Sequence, residues 1–134
     1  MIQIKRRSES KRGTTRFMLT ICFYQDSRHE KPLFWIRDRL GIGYISRRND
    51  GMTELRINGY KQVQGILIKL LPFLKFKKKQ AGYILAAAKL LQAERSEKVA
   101  RKIVNAILLV QAENYVTRKK RTRGELLKAL DLTP

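Results

Sequence analysis

The sequence predicts an α+β fold in which two antiparallel hairpins are backed by helices, and three observations predict it. Hydrophobicity alternates with period two in short stretches before residue 60 and recurs with the helical period after it. Turn-forming residues separate the stretches, and a single helical run divides the strands into two pairs, an order typical of antiparallel sheets with helices set to one side. At 134 residues and 43% apolar, the chain is long enough for one domain with a real core.

The first strand is Ile2 and Ile4 alternating with Gln3, Lys5 and Arg7; a polar connection with Lys11, Arg12 and Gly13 follows. The second strand, Arg16 to Tyr24, carries Phe17, Leu19, Ile21 and Phe23 on one face. Arg16, Met18, Thr20, Cys22 and Tyr24 share the other. Ser27-x-x-Glu30 has capping-box spacing ahead of Leu33, Ile36 and Leu40, and Gly41 stops that helix. A second hairpin runs from Ile42 to Arg48, turns at Asn49-Asp50-Gly51, and returns over Thr53 to Asn58 with Leu55 and Ile57 inward. From Tyr60 the stripe Val63, Ile66, Leu67, Leu70 and Leu71 makes a helix that Pro72 ends. Another bears Ala81, Ile84, Leu85, Ala88 and Leu91, and a third spans Ser96 to Glu113. After the run Arg118 to Arg123, Thr122-x-x-Glu125 caps a short last helix with Leu126, Leu127 and Leu130. The order is ββαββααα, with a short additional helix at the end. Residues 1–95 read as an α+β core and 96–134 as a helical extension with a basic run.

Charge narrows the function. Thirty Lys and Arg face 11 Asp and Glu, a formal +19. Such a field draws polyanions, so nucleic acid is the expected partner, ahead of an anionic membrane surface or an acidic protein. One cysteine, Cys22, and one histidine exclude an internal disulfide framework and a Cys/His zinc site. No stretch reaches the roughly 18 apolar residues a membrane span needs. Basic residues gather on the outward strand positions and the first hairpin tip, and a two-stranded ribbon fits the major groove of duplex DNA. Gln3, Lys5, Arg7, Arg16 and Arg48 are types that read base edges, with Thr20 and Tyr24 assisting and Lys11 and Arg12 at the tip. Lys75, Lys77, Lys78, Lys79 and the Arg118 to Arg123 run suit phosphates. Trp35 reads as partly buried packing, and His29 as a surface or capping residue.

One segment goes further. Gly41-Ile42-Gly43-Tyr44-Ile45, followed by Leu71-Pro72-Phe73-Leu74-Lys75-Phe76-Lys77-Lys78-Lys79-Gln80-Ala81, resembles the single-motif LAGLIDADG homing endonucleases, with matching element order from Ile2 to about Leu91. The resemblance implies a saddle-shaped, four-stranded curved sheet set on double-stranded DNA, and site-specific cleavage in intron homing. It also implies Mg²⁺ as cofactor, a homodimer, and an organelle or the bacterial cytoplasm as location. It assigns the cleavage centre to Gln25, at the end of the second strand, and to Lys77. From the residues alone, Gln25 also reads as a strand-end polar group and Lys77 as a phosphate-positioning charge.

The family's signature helix, which precedes the first strand and ends on a metal-binding carboxylate, has no counterpart after Met1. None of the four aspartates, Asp26, Asp38, Asp50 and Asp131, follows an apolar helix in the right context. The expectation is therefore a DNA-binding domain that is an incomplete or degenerate copy. A non-catalytic DNA-binding remnant and an RNA-splicing maturase are the alternatives. A basic protein of a ribosome-like particle ranks below them, since it leaves the Leu71 to Ala81 block unexplained. Without that helix, Phe17, Leu19, Ile21 and Phe23 must be covered by the remaining helices.

Overall fold

The computed structural model describes residues 2–6, 15–114 and 120–133, with side chains from residue 17 onward. Strands β1 (Ile2–Arg6) and β2 (Thr15–Asp26) pair antiparallel, with Ile4 opposite Phe17 and Lys5 opposite Arg16. The connection between them, with Arg7, Lys11 and Arg12, lies outside the described residues, as does the start of the Arg118 run. β3 (Tyr44–Arg47) and β4 (Met52–Asn58) form the second hairpin, and the strands lie in the order β1-β2-β4-β3. β2 outruns its apolar alternation because Tyr24, Gln25 and Asp26 still pair with Glu54, Thr53 and Met52. β3 starts later than its alternation suggests, after Gly43 at φ +99°. The second turn closes on Gly51 at φ +78°, with the Asp50 carboxylate accepting from the Met52 N–H at 3.2 Å.

Helix α1 (Lys31–Leu40) follows β2 and ends at Gly41, whose left-handed backbone directs its N–H to the Arg37 carbonyl at 2.8 Å. The capping box expected at Ser27 and Glu30 does not form. Residues Ser27–His29 make a 3-10 turn capped by Asp26, and both Ser27 and Glu30 turn instead to Thr53. The reason is burial: the Thr53 side chain is fully enclosed, so its hydroxyl needs partners more than an exposed helix end does. It donates to Glu30 Oε2 at 2.7 Å, and the Ser27 hydroxyl lies 2.8 Å from Thr53 Oγ1. At Thr122 and Glu125 the expected box does form, reciprocally.

Helices α2 (Tyr60–Leu70), α3 (Lys78–Gln92), α4 (Glu97–Ala112) and α5 (Arg123–Ala129) cover the apolar sheet face together with α1. Leu19 is buried among Val63, Leu67, Ala81, Ile84 and Val110. Phe17 packs with Ile103, Val104, Ile107, Leu126 and Leu127, which seats the helical extension directly on β2. Leu33 joins Leu55, Ile57 and Ile66 at the other end. The described helices thus bury Phe17 and Leu19 and half-bury Ile21 and Phe23. Two expected packing residues face water instead. Trp35 is 62% exposed, with Arg39 laid over its ring at 5.6 Å, and Leu40 lies at the exposed end of α1. Leu33 is the one buried residue of α1, with Ile36 packed beside it against Leu55 and Ile57.

Leu19→Ala is expected to cost about 2–5 kcal/mol of stability. Gly43→Ala should cost about 1–3 kcal/mol, since its Cβ would stand 2.8 Å from Leu55 Cδ1 and 2.9 Å from Ile57 Cγ1. Urea denaturation of the two variants at one pH checks both values.

Candidate nucleic-acid interface

The face of the sheet turned away from the helices is defined by register. Cys22 stands opposite Arg56, Tyr24 opposite Glu54, and Thr20 opposite Asn58; across β3, Tyr44 faces Arg56 and Ser46 faces Glu54. Since side chains alternate along each strand, these residues share one face and the core residues share the other. Gln3 and Lys5 hold register positions opposite Met18 and Arg16 on the neighbouring strands.

The predicted contact residues fare differently on this face. Tyr24 is 42% exposed, and Arg48 lies over its ring at 5.8 Å while pairing with Asp50 at 2.8 Å. The Tyr24 phenol is pushed up to about 12, first by burial of its hydroxyl end and then by the bond to the Cys22 side chain. It therefore stays a protonated donor at neutral pH. Thr20 is a correction: it is fully buried and its hydroxyl donates to Asn58 Oδ1 at 2.8 Å, so it shapes the surface from below and does not reach a base. Gln25 is half-buried at the end of β2, in register with Thr53. Lys75, Lys77 and Lys79 are all exposed along the turn into α3. His29 is exposed as the last residue of its 3-10 turn, just before Glu30 at the N-terminal boundary of α1.

Lys77 has a feature its sequence does not announce. It sits at the N-terminal boundary of α3 in the left-handed region, φ +59°, and accepts the Ala81 N–H on its carbonyl at 2.9 Å. A side chain in that region is tolerated at a cost on the order of 1 kcal/mol where glycine has none. The structure also brings in residues that sequence reasoning passed over as an ordinary return strand. Glu54 is 5% exposed yet lies on the outward face, paired through Oε1 with Arg56 Nη2 at 2.7 Å. Its alternation with Leu55 and Ile57 was the available signal.

The carboxylates around the sheet already have cationic partners. Asp26 takes Arg28 at 2.9 Å, Glu54 takes Arg56, and Glu30 takes Arg47, whose Nε lies 3.0 Å from its Oε2. Among the described residues no three of His, Cys, Asp or Glu converge on a point where a metal would sit. The described residues therefore do not fit the divalent metal that the family resemblance implies. Nor is any helix among them long and apolar enough to cross a membrane.

This arrangement, hairpins paired through their inner strands with every described helix on one face, is the fold of the LAGLIDADG homing endonucleases. The DNA endonuclease I-CvuI of Chlorella vulgaris is 35% identical over 105 residues, which take in 78% of this chain and 63% of that protein. A crystal structure of I-CvuI in complex with the I-CreI target superposes with a TM-score of 0.76 at 25% identity, covering 97% of this chain and 82% of that one. The LAGLIDADG homing endonuclease I-SmaMI bound to cleaved DNA gives 0.73 at 16% identity, over 98% of this chain and 43% of that one. No family model matches the sequence. The chain is thus similar in sequence to I-CvuI, of whose length it spans less than two thirds, and it has the fold of the LAGLIDADG homing endonucleases.

Arg47 and the Thr53 hydroxyl hold the Glu30 carboxyl below its usual range. A depressed carboxylate pKa contributes stability that is present above the ordinary glutamate range and is lost as pH falls through the folded value. Glu30→Gln should therefore flatten the acid limb of stability against pH, leaving a smaller loss between neutral pH and about pH 3. Urea midpoints of both proteins across that interval test this.

Proposed function

We propose that the chain grips double-stranded DNA with the outward face of its sheet, as the DNA-binding part of a homing endonuclease. The observation that carries the reading is the 35% identity to a DNA endonuclease, joined to a sheet whose second face no described helix covers. The +19 charge supplies the attraction, and the sheet, bent into a saddle, follows the groove. Gln3, Lys5 and Arg16 on β1 and β2, with Tyr24 and Arg48, read or flank base edges; Arg7, Lys11 and Arg12 extend the grip. Lys75 and Lys79 contact phosphates, and Gln25 and Lys77 border the scissile bond, the amide ordering water and the ammonium countering developing charge. Residues 1–95 form the gripping unit, and 96–134 brace it through Phe17.

The deciding experiment is a titration of duplex DNA containing the intron insertion site, and of the intron RNA, across a salt series. Tighter duplex binding at matched salt is expected; tighter RNA binding would overturn the reading in favour of a maturase. Lys75→Ala and Lys79→Ala should each reduce the salt slope by about 1 and weaken all duplexes alike.

Lys77→Gly separates fold from site. Glycine relieves the left-handed backbone, so stability should hold or rise by up to about 1 kcal/mol, while duplex cleavage or binding falls. Thermal melting beside the DNA assays measures both; a parallel loss of stability would count against the assignment.

A further inference from the structure

Helix α1 carries an exposed aromatic surface for which the proposed grip on duplex DNA has no use. Its buried residue, Leu33, fixes which way the helix faces: toward Leu55 and Ile57, on the covered side of the sheet. At about 100° per residue, Trp35 stands roughly 200° round the helix from Leu33, directed out of the molecule. It is 62% exposed, and the sheet and α1 itself separate it from a duplex lying on the outward sheet face.

Its neighbours are cations. Lys31 and Arg39 lie one turn before and one turn after Trp35 on the same side of α1, both exposed. Arg39 sets its guanidinium 5.6 Å from the centroid of the Trp35 ring. Neither cation has a carboxylate partner among the described residues. Asp38, the one acidic residue of α1, is held instead by Arg37, which covers the half-buried Phe34 at 5.2 Å. Arg37 is thus engaged within the fold, while Trp35, Lys31 and Arg39 are left to the solvent.

A wide aromatic ring in water with a cation on either side has the chemistry to hold an unpaired nucleic-acid base. The base stacks on the ring, and the phosphates next to it meet the cations. A duplex does not fit, because its bases already stack on one another. A protein partner needs a broader apolar surface, whereas Leu33 and Ile36 turn inward and leave Trp35 among charges. A second copy of the chain would bring its own +19 against these same cations. An unpaired strand remains, and bases open to stacking are a property of RNA loops and ends.

We propose that the outer side of α1 is a second nucleic-acid site, which takes a short unpaired RNA segment. One base stacks on the Trp35 ring opposite Arg39, and its neighbouring phosphates pair with Lys31 and Arg39. The site goes beyond the grip on duplex DNA and stands independently of it, on the other layer of the molecule. With two phosphate contacts it is the weaker of the two at matched salt.

Trp35 is the single tryptophan of the chain, so its fluorescence reports this site alone. Titration of the full chain with an oligouridylate of about twelve nucleotides should give saturable quenching. Two contacts on a single strand predict a log–log slope of affinity against salt of about −1.4. Lys31→Gln/Arg39→Gln should flatten that slope and raise the quenching midpoint roughly twentyfold at about 0.1 M salt. Both substituted positions are exposed, and an unchanged thermal melt verifies the fold. Oligoglutamate and duplex DNA, which offer no open base, should leave the fluorescence as it was. Equal quenching by either, or none by oligouridylate, would overturn the site and leave the grip on DNA standing. Stronger quenching by the matching deoxy strand would overturn RNA as its occupant. Duplex DNA that fails to bind while RNA still quenches would overturn the grip and leave this site standing.

Discussion

The pairing of β2 with β4 is the constraint on which the rest depends. It joins the two hairpins, and its register from Thr20 opposite Asn58 to Asp26 opposite Met52 decides what each face contains. A slip of β4 by one residue against β2 would turn Leu55 and Ile57 to the solvent and Glu54 and Arg56 to the helices. Burying that ion pair against the helices while exposing two large apolar side chains is prohibitive, so one register dominates. The same interlock sets what the outward face presents, because no described helix covers it.

Around that ladder the structure divides its polar groups by task. Thr53, Ser27, Glu30 and Arg47 form a closed set that fastens the end of the second hairpin to the entry of α1. Tyr60, whose hydroxyl donates to the Phe17 carbonyl, fastens the start of α2 to β2. Each of these groups has a partner within the fold, whereas Glu54 Oε2 and Arg56 Nε have none and the lysines from Lys75 to Lys79 are exposed.

Much of this was legible in the residues. Alternation in Phe17 to Phe23 and in Leu55 and Ile57 named the inward face, and the 3.6-residue stripe of Val63, Ile66 and Leu67 named the helix that covers it. The Leu71 to Ala81 block carried the family. What escaped were outcomes of tertiary competition. Thr53 outbid the N-terminus of α1 for Ser27 and Glu30, and Trp35 found no surface to pack on. Thr20 sank below its neighbours, since a short side chain between Asn58 and its strand mates has nothing to lift it into solvent. Glu54 was missed for the opposite reason: on a sheet of so many basic residues a carboxylate reads as incidental until its enclosure is seen.

The left-handed backbone at Lys77 has a consequence for how this gene can drift. Single-base changes in a lysine codon lead to asparagine, threonine, arginine, glutamate and glutamine, and from one of the two codons to isoleucine. Branching at Cβ makes threonine and isoleucine poor occupants of that conformation, whereas asparagine adopts it readily. Lineages that no longer use the ammonium group should therefore collect asparagine at this site well before they collect a branched residue.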